Sequence, residues 1–101
     1  MIQLAQWGTA MGLDDAMPHL FADGFDAEGA DIGIDDTVRK VLTFVEAVAT
    51  LTKRDLLSAD LVHDWLWVEG IWARVGPAAR KAREKFGEPR LYENIEQLAS
   101  G

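Results

Sequence analysis

The residues best placed to do chemistry lie around one histidine. His63 stands between Asp60 and Asp64, with Asp60 three positions back on the same side of a helix and Asp64 adjacent. Flanking carboxylates can orient an imidazole for acid–base work or join it at a divalent metal. One His and two acids on a single helix converge poorly on a tetrahedral ion, so a solvated helix face competes with this reading. Asp60, His63 and Asp64 are weak metal candidates, and no catalytic or cofactor-binding residue is assigned.

A second set of carboxylates fills residues 23–34, DGFDAEGADIGI, and continues to Asp35 and Asp36. A calcium loop of the EF-hand kind needs oxygen ligands at positions 1, 3, 5 and 12 around a glycine at position 6. With Gly29 in that place the first ligand falls on Gly24, and the twelfth is the short Asp35 rather than a Glu. The segment reads instead as a mobile, solubilising loop. Further on, Arg74, Arg80, Lys81, Arg83 and Lys85 form a basic stretch. It can meet phosphate, or pair with the acidic third of this chain or of a second copy.

Charge weighs between those partners. The 101-residue chain carries a formal net charge of −7. No Lys or Arg precedes Arg39, whereas residues 1–38 hold eight acids. Nucleic-acid binders normally carry a basic field, so nucleic acid is disfavoured and electrostatic docking within or between chains is favoured. There are no cysteines, which removes disulfides, thiolate metal sites and a Cys nucleophile. The opening MIQLAQWGTAMGLDD lacks the charged start of a signal peptide and is too short to span a bilayer. A cytoplasmic protein with no membrane span is expected.

Four tryptophans could serve a core or an interface. Trp65 and Trp72 are seven apart and share a helix face, which predicts core. Trp67 lies about 200° round the helix from Trp65 and points elsewhere. A large apolar side chain out of register marks a possible interface, with Leu4 and Trp7 of the first segment and Arg80 and Lys81 of the basic stretch as further interface candidates.

The elements that must position these residues are helices. Leu4, Trp7 and Met11 suggest a first short one, and Ala16–Ala22 a second, with Asp14 or Asp15 as cap and Pro18 in its first turn. From Asp35 or Asp36, the apolar positions Val38, Val41, Leu42, Val45, Val48 and Ala49 keep helical spacing, with Asp35–Arg39 and Asp36–Lys40 as supporting pairs. After a turn at 53–55, Ser58 caps a helix burying Leu61, Val62, Trp65, Leu66 and Val68, which Gly70 breaks. The next runs from about Ile71 to Phe86 with Trp72, Val75, Ala79, Ala82 and Phe86 inward, and Pro77 kinks or restarts it. Gly87 stops it, and Pro89 opens a last helix with Leu91, Tyr92, Ile95, Leu98 and Ala99 as its apolar stripe.

Residues 40–99 carry a pattern: Leu56-Leu57-Ser58 leading into Leu61-Val62, then Trp72, Pro77, Arg83, Gly87, Pro89, Tyr92-Glu93-Asn94 and Ile95-Glu96. It resembles a bacterial and phage-associated family of helical domains of unknown function. Many of its members carry an N-terminal membrane helix, which this sequence lacks. The resemblance implies a helical fold and no activity.

The expectation is therefore a single all-α domain over 1–101: an acidic segment 1–34, and a helical core 35–101 arranged as an antiparallel bundle of four main helices with one or two short N-terminal ones. Tryptophans and leucines should supply most of the core. In function it reads as a non-enzymatic interaction domain, self-associating as a homo-oligomer or docking a protein partner, with no cofactor. The alternatives are a metal-dependent or acid–base enzyme centred on Asp60, His63 and Asp64, and a nucleic-acid-associated protein acting through Arg80, Lys81 and Arg83.

Overall fold

The computed structural model describes residues 13–100. The expected first helix with Leu4 and Trp7 lies outside them. The described chain is all-α. Its helices are α1 (Leu13–Leu20), α2 (Asp36–Lys53), α3 (Ala59–Trp65), α4 (Val68–Phe86) and α5 (Glu93–Ser100). Two are long and three are short, so the weight of the fold rests on α2 and α4.

α2 is the central post, with α1, α3, α4 and α5 all packed against it. Asp35 caps it as expected: its carboxylate accepts the N–H groups of Thr37 and Val38 at 3.0 and 3.3 Å. The six apolar positions read from the spacing are all buried, and so is Phe44, the largest fully buried side chain. A helix surrounded on several sides buries a wider arc than a single stripe. Asp35 does not pair with Arg39. Facing the amides of its own helix, it takes His19 at 3.2 Å, and Arg39 turns to Asp36 at 2.9 Å. Asp55 then adopts a left-handed φ of 61° and closes the turn, a conformation aspartate tolerates better than most residues.

Three helix boundaries differ from the sequence reading. α1 contains Asp14 and Asp15 rather than starting after them, and Pro18 lies inside its last turn. Only two residues follow Pro18, so the helix gives up little by its missing donor. The break between α3 and α4 falls at Leu66 and Trp67, not at Gly70, and Leu66 is extended. Val62 and Val68 are six apart, about 240° round a continuous helix. One straight helix could not turn both inward; the break buries Val62, Leu66 and Val68 together. Third, Pro89 sits in the turn before α5 and does not start it, because that turn is held from outside by Arg83.

Pro77 neither ends nor restarts α4, which runs through it for 19 residues. Gly87 takes a φ of 64° at the end of α4, and the Glu88 amide reaches back to the Arg83 carbonyl at 2.9 Å. This left-handed cap is where glycine avoids the Cβ clash.

The core is built of valine and alanine more than of tryptophan and leucine. Val38, Val41, Val45, Val48, Val62, Val68, Val75, Ala78 and Ala79 fill it with Leu20, Leu42, Phe44, Ile71 and Ile95. Trp72 packs on its edge, while Phe86 and Leu61, both expected inward, are 61% and 54% exposed. Phe86 is the last residue of α4, and Leu61 lies on the outer side of a seven-residue helix whose buried contact is Val62. Small side chains let short helices approach α2 closely.

Candidate functional site

Trp67 is the residue the structure singles out. It stands at the start of α4 with no side-chain cap bond, and it is 66% exposed. Its ring is nonetheless held. It stacks on Phe21 with centroids 5.6 Å apart and planes at 17°, and Arg74 places its guanidinium 5.7 Å from the Phe21 ring. Underneath, the Trp67 ring lies so close to Gly70 that a Cβ there would come within 2.4 Å of it. Gly70 therefore serves close approach, not helix termination. The result is an exposed but positioned aromatic pair edged by a cation. Sequence reading found Trp67 from its register. Arg74 belongs to the basic stretch, two helical turns beyond Trp67, whereas Phe21 is distant in sequence and nothing local announced it.

The later pattern residues, Arg83 and Asn94 to Glu96 among them, gather at the other end of α4 and form a clasp around α5. Arg83 donates from Nε to the Leu91 carbonyl at 2.7 Å and pairs with Glu96 at 3.1 Å. Its guanidinium also lies 5.9 Å from the Trp72 ring, with that of Arg80 at 5.7 Å. From α2, Glu46 accepts the Ile95 amide at 3.0 Å and the Asn94 carboxamide at 2.9 Å, and that carboxamide also reaches the Thr50 hydroxyl at 3.1 Å. Glu46 thus caps α5 from a different helix. Tyr92 enters α5 with a left-handed φ of 60° and a half-buried ring packed on the core. Burial pushes its phenol up, and the nearby Glu46 charge adds to the rise. Glu93, held by Arg90 at 2.9 Å, is lowered by that hydrogen bond. These contacts join elements, and each has a structural purpose. Glu46 escaped the sequence reading, although an acid inside the apolar run from Val38 to Ala49 was the available signal.

The histidine constellation does not assemble around a common point. Asp60 and Asp64 are exposed, and the His63 ring meets Glu69 at 3.3 Å. Among the described residues no group of three or more His, Cys, Asp or Glu side chains is placed to hold a metal ion.

The acidic loop is pinned rather than loose. Lys81 donates to the carbonyls of Glu28 and Ala30, the latter at 3.1 Å. Asp31 accepts the Gly33 amide at 2.7 Å, and Phe25, Ala30 and Ile32 pack on the core. So the basic stretch does meet the acidic third of its own chain, but at main-chain carbonyls instead of carboxylates. Arg80 stays exposed beside Trp72. The side chain of Trp65, and all of Leu4 and Trp7, lie outside the described residues.

No helix among the described residues is long and apolar enough to cross a membrane. No curated protein and no solved structure matches the chain. Residues 11–101 match the model of a family defined as a domain of unknown function, DUF4760. That match begins before α1 and takes in the acidic loop, further toward the N-terminus than the pattern over 40–99 reached. With the clasp residues and the full helical stretch inside the match, the chain belongs to the DUF4760 family.

Proposed function

We propose that this domain is a non-enzymatic interaction module that self-associates through the face centred on Trp67. One observation carries the reading: Trp67 is 66% exposed yet fixed between Phe21 and the backbone of Gly70. A large aromatic that is already ordered loses little side-chain entropy on contact, and exposed Trp next to Arg is the composition of binding hot spots. Leu4 and Trp7 stay interface candidates on their sequence pattern alone, while Lys81, occupied by the loop, would contribute through the surface it holds. We also read α4 and α5, joined by a short turn, as antiparallel neighbours. Trp67 at the start of α4 then lies roughly 24 Å along the helix from the Arg83 clasp, at about 1.5 Å per residue, and the two regions can be tested separately.

Sedimentation equilibrium of the intact chain should show a concentration-dependent dimer. Trp67→Ala should weaken it by roughly 30-fold or more, the effect of removing a hot-spot residue. A monomer at millimolar concentration overturns the self-association reading, and a dimer indifferent to Trp67→Ala moves the interface elsewhere.

A further inference from the structure

We propose that the acidic loop is a strap latched by the charge of Lys81, whose ammonium does for this loop what a bound metal ion does for a calcium loop. Residues 23–34 carry Asp23, Asp26, Glu28 and Asp31. None of the four is in an ion pair among the described residues. Like charges in so short a stretch repel one another and favour an expanded, solvated chain. The loop is closed instead: Ala30 is buried, and Phe25 and Ile32 pack on the core. Among the described residues, the hydrogen bonds that reach residues 24–34 from another element both come from Lys81, to the carbonyls of Glu28 and Ala30. Two main-chain oxygens at alternate residues thus converge on one cation, a use of carbonyls that calcium loops share. Lys85, one turn further along α4, lies over Gly33, its ammonium 3.2 Å from where a Cβ would stand, and the Asp31 carboxylate is 3.2 Å from the same point.

A cation tethered in the chain is always present, so the order of the loop depends on one amine keeping its charge. Removing that charge strands two carbonyls, one of them on buried Ala30, and an unmet buried acceptor is costly. It also takes away one of the two positive charges that α4 sets against the loop. The strap then lifts from the core and exposes Phe25, Ala30 and Ile32, while α2 and α4, which pack on each other, stay folded. This inference rests on the Lys81 contacts and not on the reading of Trp67.

The test is hydrogen exchange of the intact chain at the Phe25 and Ile34 amides, which are bonded within the loop, with α2 amides as the reference. Lys81→Met, which keeps length and removes charge, should raise the opening constant of the loop by roughly tenfold or more, the worth of hydrogen bonds from a charged group. Lys81→Arg, which keeps the charge, should recover most of the protection. Wild-type protection should be the same in calcium chloride and in EDTA. A loop as protected in Lys81→Met as in wild type, or a wild-type loop that loosens in EDTA, overturns the proposal. If Lys81→Met does not fold, the wild type decides through its ammonium protons: those of Lys81 should exchange with water more slowly than those of the exposed Lys40 and Lys53, and equal rates overturn the latch.

Discussion

Gly70 links helix packing to the proposed contact face. Alanine there gains up to about 1 kcal/mol of helix propensity. Its Cβ would also meet the Trp67 ring and push it off Phe21, a stacking contact worth about 0.5–1.5 kcal/mol. Gly70→Ala should consequently leave thermal stability within about 1 kcal/mol of wild type while weakening self-association. Calorimetry beside sedimentation separates the two, and a large loss of stability would contradict the packing described for Trp67. His63 offers a contrast. Its contact with Glu69 is solvent-facing on the Glu69 side, and such pairs contribute about 0–1 kcal/mol. His63→Ala should shift the melting temperature by no more than a few degrees.

At the scale of elements, caps and clasps hold short helices that could not stand alone. Asp35 is the strongest cap. Partial burial alone would raise its pKa, but the hydrogen bond from His19 and the amides of Val38 and Thr37 outweigh that and lower it. A lowered carboxylate contributes stability above its unfolded pKa and loses it as pH falls through the folded one. Asp35→Ala should thus cost about 1 kcal/mol near neutrality, and the difference from wild type should narrow as pH falls through the lowered Asp35 pKa. Melting curves at two pH values check this. Arg83 links α4 to both the turn and α5 through Leu91 and Glu96. Arg83→Met should destabilise by about 2 kcal/mol, since it strands a carbonyl and a carboxylate. Arg83→Lys should recover little, because an ammonium cannot reproduce the guanidinium fork on two separate oxygens. Chemical denaturation of the two variants measures the difference.

For the whole described chain, three short helices are gathered on a long central helix, and Lys81 of α4 holds the acidic loop. The ends of α4 differ: an exposed, stacked aromatic at Trp67, proposed as the contact face, and the clasp at Arg83. Losing the clasp should loosen α5 before it disturbs Trp67, so Arg83→Met should retain more self-association per unit of lost stability than Trp67→Ala. The spacing of the C-terminal residues has a physical meaning at this scale. Arg83, Gly87, Tyr92 and Asn94 are spaced to close the C-terminal helix over the core.

The sequence by itself determined what depends on near neighbours along the chain. The helical period of α2, the Asp35 and Ser58 caps, the left-handed stop at Gly87 and the out-of-register position of Trp67 are all consequences of local geometry. Only the tertiary structure decided which apolar residues are covered, because burial depends on helices distant in sequence. It placed valine and alanine in the core, left Phe86 and Leu61 outside, and moved the α3–α4 break to Leu66. It also brought together Glu46 with Ile95, Lys81 with Ala30, and Phe21 with Trp67. Those partners are dozens of residues apart, and no period or spacing encodes a contact of that range. The weak histidine site shows the same rule in reverse: adjacency in sequence placed Asp60 and Asp64 beside His63, yet the folded chain gave its ring to Glu69.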